Sequence, residues 1–163
     1  RSTADGFFKL PLILGPNYRF IVDWGDGTSD LITAYNQAEV THDYTGAGVG
    51  TYQIKIYGRC DQIRFNGSGD RYKLNSIDAW GNIVWKSFNS SFNGCGNMIG
   101  TYTDKPVLEK VKDMTSMFRI CVNFNHPVND WDVSNITNMT NMFSYAYEFN
   151  QNIGAWDVSN VTN

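Results

Sequence analysis

Charge is what this chain has least of. Only 18% of its 163 residues are charged, and the net charge is −3. No run of Lys and Arg lies along the sequence to neutralise a phosphate backbone, which argues against nucleic acid as a partner. Long apolar runs are missing too. The longest candidate, Phe7 to Leu14, is broken by Lys9 and Pro11, well short of the roughly 20 residues a membrane-spanning helix needs. Cysteine is confined to Cys60, Cys95 and Cys121, whose spacing matches no zinc pattern and whose odd number allows at most one disulfide within the chain. The two histidines, His42 and His126, fall in different halves, so no histidine-based nucleophile–base pair can be assembled. An initiator methionine and a leader are also missing. Arg1-Ser2-Thr3-Ala4 reads as the start of a mature or cut chain, and Asn163 falls where the next repeated Met is due, so a longer protein is expected.

What is plentiful is apolar and amide-rich sequence. Hydrophobic residues make up 42%, enough to build a core, and Asn, Ser, Thr, Gly and Tyr supply a surface polar through amides and hydroxyls. The dominant pattern is a repeat. Trp131-Asp-Val-Ser-Asn returns as Trp156-Asp-Val-Ser-Asn, and Phe124-Asn125 returns as Phe149-Asn150, both after 25 residues (156 − 131 and 149 − 124). A fixed period of this size predicts units that bury their apolar faces against one another. Extended upstream, the repeat forms columns. Trp85, Val111, Ile136 and Val161 share one; Phe88, Met114 and Met139 share the next. Phe92, Phe118 and Phe143 follow, then Cys95, Cys121 and Ala146, then Met98, Phe124 and Phe149. Trp131 and Val133 alternate like a short strand, whereas Ile136, Met139, Met142/Phe143 and Ala146 step by three and four, which predicts a short helix. Asn125/Asn150 and Asn135/Asn160 are expected to hydrogen-bond backbone groups of the adjacent unit.

Ahead of the repeats, residues 7–58 read as short strands with Gly-rich turns. Tyr18 to Trp24 puts Tyr18, Phe20, Val22 and Trp24 on one face, and Thr51 to Tyr57 puts Tyr52, Ile54 and Ile56 on one face. Phe7 to Ile13 and Leu31-Ile32-Thr33 are further candidates. The order Val22-Asp23-Trp24-Gly25-Asp26-Gly27-Thr28, Thr41-His42-Asp43-Tyr44, Gly50-Thr51-Tyr52-Gln53-Ile54-Lys55-Ile56 resembles a polycystic-kidney-disease (PKD) type domain, with Ala47-Gly48-Val49 as an insertion. That resemblance implies an Ig-like sandwich of the kind found as a spacer or interaction module in extracellular proteins. The repeats, with their Trp-Asp-Val-Ser, Asn-Met, Met-Phe and Phe-Asn elements, resemble the BspA-like class of leucine-rich-repeat surface proteins. The expected fold is therefore two-part. An N-terminal all-β Ig-like sandwich spans 1–58, and a packed connector and N-terminal cap spans 59–76. An α/β leucine-rich-repeat-like solenoid of 25-residue units spans 77–163, holding three units and the start of a fourth.

Candidate sites follow from what varies between units. Arg119/Ser144, Ile120/Tyr145, Val122/Tyr147 and Asn123/Glu148 change while the columns hold. Tyr145 and Tyr147, with Arg119 and Glu148, would offer aromatic area and hydrogen bonding to a glycan or protein; the competing reading is that these tyrosines pack against a following turn. Asp23, Asp26 and Asp30 suit Ca²⁺ as clustered carboxylates, against the reading in which each simply bonds its own turn; no other cofactor is expected. Cys95 and Cys121 share a column and could bridge if close enough, or stand as buried thiols in the place of Ala146. Paired carboxylates for hydrolysis could be drawn, for instance Asp130 with Asp132, but Asp132 recurs as Asp157, as a structural residue would. Asn66, Asn89, Asn135, Asn138 and Asn160 lie in glycosylation-type sequons. The expected role is a non-catalytic extracellular or cell-surface binding or adhesion module whose partner is a protein, a glycan or copies of itself. The alternatives are a subunit of a surface layer or filament, and an appendage of a secreted enzyme.

Overall fold

The computed structural model describes residues 6–48 and 50–163. Arg1-Ser2-Thr3-Ala4, and Val49 of the Ala47-Gly48-Val49 insertion, lie outside the described residues. Regular structure is nearly all β: β1 (Phe7–Lys9), β2 (Tyr18–Asp23), β3 (Ser29–Ile32), β4 (Thr41–Asp43), β5 (Lys55–Cys60), β6 (Ser76–Ile77) and β7 (Ile99–Gly100), with single 3₁₀ turns at Ala38–Val40 and Arg71–Lys73.

The first half is organised by β2. Its two-residue alternation buries Tyr18, Phe20 and Val22 and exposes Arg19 and Ile21, so one face of the strand supplies core. β2 is central in an antiparallel sheet of order β3-β2-β5, and β1 pairs with β4 in a separate two-stranded sheet. Gly25 and Gly27 take positive φ and let the chain reverse after Trp24, whose N–H donates to the Thr28 carbonyl. The Ig-like sandwich expectation is corrected here. These five strands form a three-stranded and a two-stranded sheet, short of the roughly seven strands of an Ig-type sandwich. Strand limits also move: the first run ends at Lys9, where Pro11 lies just ahead, the third spans Ser29–Ile32 rather than Leu31 to Thr33, and the last starts at Lys55 rather than Thr51.

The α/β leucine-rich-repeat solenoid is corrected as well, because the described residues hold no α-helix. Residues 113–124 form successive turns closed by i→i−3 bonds: Met117 N–H to Met114 O, Cys121 N–H to Phe118 O, Phe124 N–H to Cys121 O. Ser116, Ile120, Asn141 and Tyr145 have φ of 55°, 58°, 57° and 60°, and left-handed residues four positions apart within a unit cannot continue a right-handed helix. Alternate N–H groups leave their own unit altogether. Phe88, Ser90, Phe92 and Gly94 donate to the carbonyls of Asp113, Thr115, Met117 and Arg119. Met114, Ser116, Phe118 and Ile120 donate in turn to Asn138, Thr140, Met142 and Ser144. The expected strand at Trp131–Val133 is likewise absent; both residues are buried in non-strand conformation.

The columns do form core. Trp85, Val111, Ile136, Phe88, Met114, Phe92, Phe118, Cys95, Cys121, Met98 and Phe124 are all buried. Phe92, Phe118 and Phe143 stack with centroid separations of 5.7 Å at each step. Asn150 N–H donates to Asn125 Oδ1 at 2.9 Å and Asn160 Nδ2 to Ser134 O at 2.8 Å, as expected of the recurring asparagines. Phe65, Asn66 and Gly67 donate to Ser91, Ser90 and Asn93 carbonyls, which fastens the connector to the first unit.

Candidate binding surface

The variable positions of the last full unit come together on one surface. Tyr145 and Tyr147 are 56% and 73% exposed, with ring centroids 6.2 Å apart in an edge-to-face arrangement. The Arg119 guanidinium, one unit earlier, sits 5.7 Å from the Tyr145 ring centroid, within reach of a cation–π attraction. The fourth residue, Glu148, is exposed, and its N–H donates to Val122 O at 3.1 Å, which ties the backbone under the tyrosines to the preceding unit. Turn geometry aims this surface. Tyr145 occupies a left-handed position that Ile120 and Gly94 occupy in the units before it, with buried Ala146 anchoring the next residue. Strained backbone recurring at fixed register belongs to the architecture; the aromatic side chains placed on it are what distinguishes this unit.

The carboxylates of the first half face separate tasks. Asp23 Oδ1 accepts the Gly25 N–H at 2.9 Å. Asp26 Oδ1 accepts the N–H and hydroxyl of Thr28 at 3.0 and 2.7 Å, and its Oδ2 accepts His42 Nε2 at 2.8 Å. Asp30 Oδ2 accepts the Trp24 indole N–H at 2.8 Å. The three are not drawn into one ligand set, and the described residues contain no metal-ligating cluster of three or more His, Cys, Asp or Glu. His42 instead stacks on Trp24 at 4.6 Å, and Tyr44 donates its hydroxyl to the Trp24 carbonyl at 2.9 Å. Thr-His-Asp-Tyr is thus a clamp on the turn that follows β2. Burial pushes the Asp26 carboxyl up, but bonds from Thr28 and His42 outweigh it and hold the group at about 2.

Cys60, Cys95 and Cys121 are free and buried. Cys121 Sγ donates to Phe92 O at 3.0 Å, and burial pushes the Cys60 and Cys121 thiols up to about 12. Such thiols pack as small apolar groups. Two concavities escaped sequence reasoning. A cleft of about 720 Å³ lies where the first half meets the repeats, walled by Tyr52, Ile54 and Ile56 on one side and Leu74, Ile77 and Trp80 on the other. Gln53 Nε2 donates to Asp78 Oδ2 at 3.0 Å across it. The alternation of Tyr52, Ile54 and Ile56 was its one visible signal. A second, open groove of about 700 Å³ lies by Arg59, Asp61 and Lys86; its members are spread over some fifty residues and leave no local signature.

Residues 86–163 match the family model described as "Mycoplasma protein of unknown function, DUF285". The match falls on the repeats and is consistent with BspA-like repeat proteins. No curated protein and no solved structure matches this chain.

Proposed function

We propose that this chain is a non-catalytic recognition or adhesion module working outside the cell, with the surface of Arg119, Tyr145, Tyr147 and Glu148 as its contact site. The observation that carries this reading is the contrast within one unit. Column residues keep their chemistry because they are buried, while the positions on the raised turn exchange Ile120 for Tyr145 and Val122 for Tyr147 and expose both rings. Exposed tyrosines beside a guanidinium give contact area at low side-chain entropy cost, the usual make-up of a binding hot spot. The test is binding of the folded chain to panels of immobilised glycans and extracellular proteins. Tyr145→Ala with Tyr147→Ala should weaken a specific interaction by at least about 2 kcal/mol while leaving the thermal midpoint within a few degrees. Unaltered binding would remove these residues from the site.

A further inference from the structure

Register creates an electrostatic anomaly in the first half. β2 and β5 place Arg19 directly opposite Arg59, both exposed. Like charges facing each other across a strand pair are destabilising. Asp61, 3% exposed, compensates for one of them: its two oxygens accept Arg59 Nε at 2.9 Å and Nη2 at 3.2 Å. Lys86 Nζ lies 3.4 Å from the same carboxylate, and Asn17 donates both its backbone N–H and Nδ2. Arg59 and Lys86 are thereby held around one buried negative charge. Lys110 lines the same groove, and neither it nor Arg19 has an ion-pair partner among the described residues. Glu109, next to Lys110 in the chain, does not line the groove. Three cations thus line a groove that holds one carboxylate, with Arg19 as a fourth across the strand pair from Arg59, on a molecule whose net charge is −3, a concentration of positive field that favours an anionic partner.

The neighbouring surface narrows the class of partner. Leu31, Ile21 and Tyr57 form an exposed row across β3, β2 and β5, immediately beside the arginine pair. An aromatic flanked by cations suits a sugar ring that carries an acidic group: the ring's apolar face covers Tyr57 and its charge meets the guanidinium. The groove also draws its cations from two parts of the chain, Arg59 from β5 and Lys86 and Lys110 from the repeats, and a concave site fits a linear chain better than a flat lipid surface. We propose that this groove and the strand face beside it bind an acidic polysaccharide, with carboxylate or sulfate groups on Arg59, Lys86 and Lys110 in the groove and on Arg19 across the strand pair from Arg59, and a sugar ring on Tyr57 next to them. This site is separate from the tyrosine surface and stands without it.

The test uses the full chain, titrated with an oligogalacturonate and with a sulfated glycosaminoglycan oligosaccharide, and with uncharged dextran as control. One acidic glycan or both should bind, with affinity falling as salt rises. Arg19→Glu with Lys110→Glu should weaken binding at least about tenfold, and Lys110→Ala, which removes a side chain without a partner, should weaken it by a smaller factor. Arg19→Lys with Lys110→Arg should bind as the parent does, and Lys105→Glu, outside the groove, should change nothing. The proposal fails if neither glycan binds, if the folded charge-reversed variant binds as tightly as the parent, or if anionic vesicles or single-stranded DNA are retained more strongly than either glycan.

Discussion

Asp26 shows what a single residue contributes to the first half. Its side chain is 6% exposed, and it holds the Thr28 turn with one oxygen and His42 with the other. Its folded value of about 2 lies below the ordinary 3.8. A carboxylate with a depressed folded pKa adds stability that is present above the unfolded value and lost as pH falls through the folded one. We therefore expect acid unfolding to draw on Asp26 between about pH 4 and pH 2. Asp26→Asn should lower the thermal midpoint at pH 7 and flatten its pH dependence over that window, as followed by circular dichroism. An unchanged slope would place the acid sensitivity elsewhere, with Asp61, also held at about 2 against the upward push of burial, the next group to test. The proximity of Asp23, Asp26 and Asp30 in the chain suggests a metal, and the structure adds partners that a sequence does not display: an indole N–H for Asp30, an imidazole for Asp26. The left-handed backbone of Ile120 and Tyr145 was equally hidden, since neither residue type signals positive φ.

At the scale of the element, the column pattern was legible and the element was not. Ile136, Met139, Met142 and Ala146 step by three and four, and that spacing suits a helix. It suits equally a series of tight turns that each advance three residues and return their apolar side chains to one wall. The sequence pattern reports which side chains face inward. The choice between the two backbones rests on where alternate N–H groups find carbonyls, and here they find them one unit away. Phe118 is the clearest load on that wall, stacked on Phe92 and Phe143 at 5.7 Å and on Phe124 at 4.2 Å, and fully buried. Phe118→Ala should cost about 3–5 kcal/mol through lost contacts and the cavity left behind, measured by urea denaturation. A loss below about 1 kcal/mol would mean the stack is not a core. The strand alternation of β2 was read correctly for a related reason: with one face buried and one wet, a period of two has a single solution.

Across the whole molecule, the two halves share one continuous set of buried side chains running from Phe8 to Met142. Asp61 and the Phe65–Gly67 segment bond the first half to the first repeat unit. A packed connector was expected over 59–76, but the particular pairs were not visible in the residues, because they join groups of unremarkable type such as Gln62 Nε2 and Asn89 O. The repeat half is held above all by the register between units, in which equivalent turns are tied by backbone bonds at offsets of 24 and 25 residues (138 − 114 and 113 − 88). Residue-resolved amide exchange by NMR tests that register directly. Slow exchange is expected at Ser90, Phe92, Ser116 and Phe118, whose N–H groups donate to the following unit, and fast exchange at Val122 and Asn123, whose N–H groups have no acceptor among the described residues. Equal protection of the two groups, or a continuous run of protected amides from Ile136 to Ala146 such as a helix would give, would contradict it.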